Sequence, residues 1–371
     1  MTGVCRRRRR ASALARGYIL SALTSIGLLA QVPTPAPLKP HPRGYVASRA
    51  ADAVKIDGKL TDPAWAQAAW SEPFIHIEGD VKPRPTWPTR VKMLWDDAFF
   101  YVGAELTEPH IWATYTKHDS VIFHENDFEV FLDPDGDNRE YYEFEINALG
   151  TYWDLRLPKP YRDGGKAVDG WEIPGLKSAV HLEGSLNDPR DTDRWWSVEL
   201  AFPWSVLKEY TQRPAPPRDG DQWRVNFSRV QWDIEPSGVG YSKLPNRPEH
   251  NWVWSPQGAI DMHRPELWGY VQFSAKPAGA VSFVPDVSWP ARAWLYEVYY
   301  AQRAYRQTHK RYAAALADLN LRSQVESGLS APEIANAGPT AYTATITQTM
   351  ADGRRVRWSV NQESAISSVA Q

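Results

Sequence analysis

Two stretches of the sequence decide the fold: DFEVFL at residues 127–132 and EYYEFEIN at residues 140–147. In both, apolar and polar residues largely alternate, which is the period of a β-strand with one face buried. Between them lies DPDGDN at residues 133–138, and Asp, Pro, Gly and Asn are the residues that favour tight turns. The segment therefore predicts a β-hairpin.

The same pattern extends in both directions. Residues 91–106 predict another hairpin about Asp96-Asp97, and helical turns are expected only near residues 62–69 and 203–208. Further strands are predicted at residues 151–157, 177–182, 195–201, 222–231, 252–254 and 270–273. Many short strands with Gly, Pro and Asp turns predict a mainly β chain, built as a two-sheet antiparallel sandwich.

The pattern changes near Pro277. Residues 291–319 carry apolar side chains at helical spacing, and residues 342–347 and 355–360 alternate about the turn Ala351-Asp352-Gly353. We therefore expect a small C-terminal α+β appendage, a long helix followed by a hairpin, that packs on the sandwich. The predicted organisation is a signal peptide at 1–30, a Pro-rich linker at 31–44, the sandwich at 45–275 and the appendage at 276–371.

Composition and the N-terminal residues restrict the function. The net charge of -2 gives no basic excess of the kind that binds nucleic acid, and the 18 Trp and 17 Tyr are abundant. Arg6 to Arg10, followed by the short apolar run 17–30, predict an export signal, with Ala30 as the cleavage position. We expect the protein in the periplasm, at the cell surface or outside the cell. Cys5 lies in the signal, so no disulfide is expected in the mature protein.

Several segments together resemble the family-9 carbohydrate-binding modules. The segments, in order, are VKIDGKLTDPAW at 54–65, VKMLWD at 91–96, NDFEVFLD at 126–133, YYEFEIN at 141–147, WSVELAFPW at 196–204 and PELWG at 265–269. The resemblance covers about residues 45–275. It implies a jelly-roll-like sandwich that binds polysaccharides or oligosaccharides, works alongside glycoside hydrolases in polysaccharide breakdown, and carries structural calcium.

The alternation also indicates which side chains could hold a sugar. If the strands at 127–132 and 140–147 pair, Glu129, Glu143, Glu145 and Asn147 crowd the face opposite the core. Such carboxylates need cationic or hydroxyl partners, and Arg156 and Arg229 are the expected cations. Sugar hydroxyls also suit carboxylates, because a charged acceptor makes a stronger hydrogen bond. The alternative is a solvated polar face with salt bridges.

The resemblance adds individual roles. Phe123 stands where the family places a sugar-stacking ring, and Glu129 matches its carboxylate. Glu145 occupies the place of an expected arginine. The second ring's place, just before Pro265, holds Met262 or His263, so Trp254 is the nearby aromatic substitute. Trp153 and Trp171 are further ring candidates, although core packing explains both.

The acidic turn is a candidate metal site. Asp133, Asp135 and Asp137 could bind calcium through their carboxylates. The turn is not an EF-hand, because Gly136 is at the wrong position and no Glu closes a twelve-residue loop.

Three other functions stay open. Glu129 and Glu145 could act as acid and base of a glycoside hydrolase, so catalysis is undecided. Met93 and His263 could hold haem b, as in some related sandwiches, although no haem attachment motif is present. A structural role at the cell surface, with the C-terminal region docking a partner, is the third.

Overall fold

The computed structural model describes residues 40–238, 240–321 and 325–371. The predicted signal peptide and most of the Pro-rich linker lie outside these residues. Within the described ranges, no helix combines the length and the apolar character that crossing a bilayer requires. The described residues from Pro40 onward belong to one compact unit, so the predicted boundary near residue 276 stays a prediction.

The prediction of a mainly β chain is confirmed. In the main part, the strands are β1 Gly44–Arg49, β2 Ile75–His76, β3 Thr89–Trp95, β4 Phe99–Thr107, β5 Asp127–Asp133, β6 Tyr141–Asn147, β7 Tyr152–Leu157, β8 Lys177–Glu183, β9 Trp195–Pro203, β10 Gln222–Gln231, β11 Ile234–Ser237, β12 Gly240–Lys243, β13 His250–Val253 and β14 Gly269–Ser274. The helices there are α1 Pro63–Gln67 and α2 Trp204–Leu207, with short 3-10 turns at Ile122–His124, Tyr161–Asp163 and Pro265–Leu267.

The main strands form one continuous pairing path, in the order β7-β6-β5-β10-β14-β1-β3-β4-β9-β8. All neighbours on the path are antiparallel except at β1, which runs parallel to both β14 and β3. Strand β13 branches from β10 and also pairs with β2. The predicted pair of separate sheets is thus joined, because β1 pairs with β14 from Gly44 to Ser48 and reaches β3 at Ser48 and Arg49.

Aromatic side chains from the two halves of this path meet in one hydrophobic core. Phe144 of β6 contacts Phe202 of β9, with ring centroids 5.5 Å apart. The rings of Trp204 and Trp223 meet edge to face at 5.4 Å, a favoured aromatic geometry. Aromatic side chains from both halves therefore share one core, which accounts for part of the high Trp and Tyr content.

The C-terminal region consists of one long helix and a small sheet. Helix α3 Trp289–His309 is followed by a 3-10 turn at Leu316–Leu319, β15 Glu333–Ala335, β16 Thr343–Thr349, β17 Arg355–Asn361 and β18 Ile366–Ala370. The predicted hairpin is β16–β17, and β15 and β18 extend it to four strands. The helix is shorter than predicted, because Lys310 adopts a left-handed conformation and its N–H caps Arg306.

Hydrogen bonds attach this region to the acidic turn after β5. The Asn138 side-chain amide donates to the Tyr296 hydroxyl at 3.0 Å and to the Ser364 carbonyl at 3.2 Å. Arg292 of α3 donates to the carbonyl of Gly136. The turn between β5 and β6 is therefore a docking point for the C-terminal region.

Glu199 of β9 anchors the segment that precedes α1. Its carboxylate is 1% exposed and accepts from the backbone N–H groups of Asp57 and Gly58 at 2.7 and 2.6 Å. The indole of Trp65 donates to the other oxygen at 2.7 Å. One buried side chain thus satisfies three donors from a segment far away in the sequence.

We expect Glu199→Ala to lower the free energy of unfolding by about 3 kcal/mol, because it leaves buried donors without an acceptor. Glu199→Gln keeps one acceptor and should lose less. Urea denaturation measures both. The control is Glu105→Ala, which removes only the partly exposed ion pair with Arg90 and should cost about 1 kcal/mol or less. Equal losses in Glu199→Ala and Glu105→Ala would contradict the anchoring role.

Candidate functional site

Strands β5 and β6 pair as the sequence predicts. The register places Glu129 opposite Glu145 and Phe131 opposite Glu143. The alternate residues on the two strands enter the core: Phe128, Val130, Leu132, Tyr142, Phe144 and Ile146. The predicted assignment of the two faces is therefore confirmed.

The face opposite the core carries four buried acidic side chains, which we call the carboxylate cluster: Asp127, Glu129, Glu143 and Glu145. Their exposures are 0, 5, 6 and 1% respectively. One oxygen from each of Asp127, Glu129 and Glu145 lies within 4.8 Å of the other two. Four acids thus share a small volume that is largely closed to solvent.

Few donors reach the cluster. Asp127 accepts one hydrogen bond from the backbone N–H of Val230 at 3.2 Å, and Glu145 accepts one from the N–H of Phe123 at 3.0 Å. Among the described residues, no lysine or arginine forms an ion pair with any of the four acids. The charged groups that act most strongly on them are other carboxylates.

Burial and mutual repulsion both disfavour ionisation here. Burial raises the pKa of Glu129 to about 7. Burial first, and neighbouring carboxylates second, raise the pKa of Asp127, Glu143 and Glu145 well above the usual range. In the absence of a cation, the cluster therefore holds protons that ordinary carboxylates release.

Two partly exposed aromatic residues, Phe123 and Tyr161, lie near the cluster. Phe123, whose N–H contacts Glu145, is 36% exposed, and the indole of Trp232 donates to its carbonyl at 2.9 Å. Tyr161 is 45% exposed, and burial together with the charge of Glu143 raises its pKa. The site therefore combines buried acids with exposed ring surfaces.

Both predicted arginine partners lie elsewhere. Arg156 pairs with Glu140, and its guanidinium lies 4.1 Å from the Tyr210 ring centroid. Arg229 is 1% exposed and pairs with Glu108 at 2.8 Å. The prediction that these arginines neutralise the acids, or contact a sugar beside them, is wrong. The reason is strand alternation, because Arg229 follows Ser228, the residue opposite Glu129.

Two other predicted site residues are structural. The Asn147 amide donates to Tyr115 and Glu125, and its oxygen accepts from the turn that follows β6. Trp254 is 1% exposed and packs on Phe227 in the core. Asn147 lies directly across from Asp127, on the face of the cluster, but its side chain is engaged by the neighbouring loops, so its contact with a sugar stays a prediction. Trp254 is buried in the core and is corrected as a sugar contact. Trp171 likewise stacks on Tyr142 in the core, whereas Trp153 is partly buried and lies opposite Glu145.

His263 lies near the cluster but not beside Met93. Its Nδ1 is 3.0 Å from the Tyr141 hydroxyl, and its ring meets Tyr161 at a centroid distance of 4.5 Å. Met93 is fully buried in the main core, on the other side of the sheet. The two side chains do not face a common volume, so the predicted Met93–His263 haem ligation is wrong.

The acidic turn fits calcium less well than its sequence indicates. Asp133, Asp135 and Asp137 place one oxygen each within 4.8 Å of the others. The two oxygens of Asp133 already accept the N–H groups of Gly136 and Asn138 at 2.9 and 3.0 Å. Asp135 is likewise engaged, accepting from the backbone of Gln212 at 3.1 Å. These hydrogen bonds already satisfy carboxylate oxygens that would otherwise bind a metal ion. Calcium at this turn stays a prediction.

The sequence reasoning missed two members of the site. Asp127 was assigned to the correct face by alternation, but it was not included among the binding residues. Tyr161 gave only a weak signal, an aromatic residue near the Gly164-Gly165 turn. Its position beside the cluster depends on the fold of the segment after β7, which no local pattern reveals.

Residues 56–169 match the family model described as carbohydrate family 9 binding domain-like. The resemblance to family-9 carbohydrate-binding modules is therefore confirmed over this part of the chain. The matched segment contains the whole carboxylate cluster together with Phe123 and Tyr161.

Particular relatives are more distant. The exoglucanase XynX of Acetivibrio thermocellus is 26% identical over 152 residues, which cover 41% of this chain and 12% of XynX. A family-9 module from Caldicellulosiruptor kristjanssonii, solved with cellotriose, is 16% identical over 66% of this chain and 100% of the module, with a TM-score of 0.38. A protein from Bacteroides uniformis is 17% identical over 63% of this chain and 100% of that protein, with a TM-score of 0.45. These folds differ too much from this one to locate a ligand in it.

His263 should make stability depend on pH. Burial, and secondarily the charge of Arg162, lower the pKa of His263 to about 3. The unfolded chain binds this proton near pH 6.5, and the folded protein does not until far lower pH, so acidification favours unfolding. We expect His263→Gln to reduce the loss of stability between neutral pH and about pH 4.5, by up to roughly 1 kcal/mol per pH unit. Urea denaturation across this range measures the effect, and parallel curves for the two proteins would contradict it.

Proposed function

We propose that this chain is an exported carbohydrate-binding protein that takes part in polysaccharide breakdown alongside glycoside hydrolases. The observation that carries the proposal is the pairing of exposed rings with carboxyl groups at one surface. Phe123 and Tyr161 supply the rings, and Glu129 and Glu143 are the members of the cluster that keep the most exposed surface.

Each component suits a sugar. A flat ring covers the apolar face of a pyranose, while carboxyl groups exchange hydrogen bonds with its hydroxyls. Asp127 and Glu145 are almost inaccessible, so we assign direct sugar contact to Glu129 and Glu143 and a supporting role to the other two. The ligand we propose is a polysaccharide or oligosaccharide chain that lies across Phe123 and Tyr161.

The partner and location follow from other observations. The relative with 26% identity is described as an exoglucanase, and the matched segment is a small part of it. We infer that a glycoside hydrolase acts on the polysaccharide that this chain binds. The hydrolase is either a separate partner protein or part of a larger assembly that contains this chain. The arginine-rich N-terminus with its short apolar run supports export to the periplasm, the cell surface or the medium. We further propose that the curled strand path closes into a jelly-roll-like sandwich.

The test is binding of the full-length mature protein to soluble β-glucans, xylans and their oligosaccharides, by calorimetry and affinity electrophoresis. We expect Phe123→Ala and Tyr161→Ala each to weaken binding at least about fivefold, because each loses a stacking surface worth about 1 kcal/mol or more. The N–H that Phe123 donates to Glu145 is retained in the alanine variant, so the change isolates the ring.

The matched control is Tyr210→Ala. Tyr210 is 40% exposed, similar to Tyr161, but its ring stacks on Arg156 away from the cluster. Equal affinity in the three variants, or no saturable binding by a folded protein across the panel, would contradict the proposed site. Reducing-end release in the same assays reports any hydrolysis.

A further inference from the structure

We propose that Asp127, Glu129 and Glu145 form a binding site for a divalent cation of the calcium class. This site is distinct from the acidic turn at residues 133–137, and it does not depend on the proposed sugar binding. The inference begins from charge balance and continues to the donor atoms and their spacing.

Several other buried acids have compensating partners. Glu108 pairs with Arg229 at 2.8 Å, and Glu266 pairs with Arg162 at 2.8 Å. Glu125 accepts the N–H groups of Thr114 and Tyr115 and the amide of Asn147. Among the described residues, the carboxylate cluster lacks an equivalent partner. Burying several uncompensated carboxylates is costly, so the cluster requires either protons or a cation.

A second observation concerns a buried carboxylate oxygen of the cluster that has no hydrogen-bond partner. The Oδ2 atom of Asp127, a side chain with 0% exposure, accepts no hydrogen bond. Ser228, 1% exposed, lies opposite Glu129 in the sheet, and its hydroxyl is close enough to the Glu129 carboxyl to lower the pKa of that group. Buried polar groups are normally satisfied. A fully buried carboxylate oxygen that accepts no hydrogen bond, beside two other carboxylates, indicates a missing electropositive group.

The donor set identifies the class of cation. The three acidic ligands and the nearby Ser228 hydroxyl offer only oxygen, which hard cations prefer, and no His or Cys joins the group. Calcium binds oxygen at about 2.3–2.6 Å, so two oxygens that share one ion lie at most about 5 Å apart. The spacing of up to 4.8 Å between the three carboxylate oxygens satisfies this limit.

The position of the ligands also favours calcium. Asp127 and Glu129 are two residues apart on β5, and Glu145 lies directly across on β6, so the strand register fixes all three. Magnesium retains most of its water in proteins, whereas these side chains are almost fully buried. Two paired strands thus present three carboxylates to one point, as a mostly dehydrated calcium ion requires.

The experiment uses the mature full-length protein after chelator treatment. Calcium binding is measured by calorimetry, with its stoichiometry, and by terbium luminescence sensitised by nearby indoles such as Trp153, which lies opposite Glu145. We expect saturable binding and a calcium-dependent rise in Tm, since a ligand that binds only the folded state stabilises it. Glu129→Gln and Glu145→Gln should each weaken this binding at least tenfold, or remove one bound equivalent.

The isosteric variants also report on the ion-free protein. Each replaces an acid that burial and neighbouring carboxylates disfavour with a neutral amide of the same shape, so we expect both to fold and to have a higher Tm than the unaltered protein in chelator. Asp135→Asn distinguishes the proposed site from the acidic turn, because it changes only the turn. This variant should retain the calcium binding that the two glutamine variants lose. Sugar affinity is measured separately, so failure of one proposal is distinguishable from failure of the other.

Three results would overturn the cation site. The first is the absence of any saturable calcium binding by the folded protein. The second is full calcium binding in both glutamine variants. The third is binding that Asp135→Asn removes and the glutamine variants keep, which would place the ion at the turn.

Discussion

The antiparallel register of β5 with β6 is the constraint on which the rest of the structure depends. This register directs Phe128, Val130, Tyr142 and Phe144 into the core, where their side chains pack against residues from the other half of the strand path. The same register necessarily sends Glu129 and Glu145 to the other face, directly opposite each other. A shift of one residue would exchange the two faces. The core and the carboxylate cluster are therefore two consequences of one pairing, and neither can change without the other.

The composition of the cluster follows from one position. By the family resemblance, residue 145 is where an arginine is expected, and an arginine there would face Glu129 as an ion pair. With Glu145 in its place, the pair becomes two like charges on adjacent strands, an arrangement that is destabilising unless something intervenes. Burial makes the repulsion stronger, because the surroundings screen charge poorly. Residue 145 therefore offers no guanidinium, and burial together with the neighbouring carboxylates raises the pKa of Glu145 instead.

The sequence predicted what depends on local periodicity and failed on what depends on distant partners. Alternation was sufficient to assign the faces of β5 and β6, and the turn residues located the hairpin between them. It could not show that the polar face is also buried, since Tyr161 and the segment after β7 come from elsewhere in the chain. Arg229 was misassigned for the same reason, because its partner Glu108 is 121 residues away. The C-terminal hairpin was found, but β15 and β18 have too few alternating residues to be recognised before they pair with it.

The arginines nearest to this face are engaged by the C-terminal region instead. Arg292 of α3 bonds to the acidic turn, and Arg162 connects Glu266 with Tyr299 of the same helix. Arg224 donates to the carbonyl of Glu266 and lies 4.1 Å from the Tyr270 ring centroid. Docking of α3 therefore holds these arginines at the end of the sheet that carries the turn. Because long side chains held in buried contacts cannot move to another partner without breaking them, these arginines do not become available to the cluster in the folded chain.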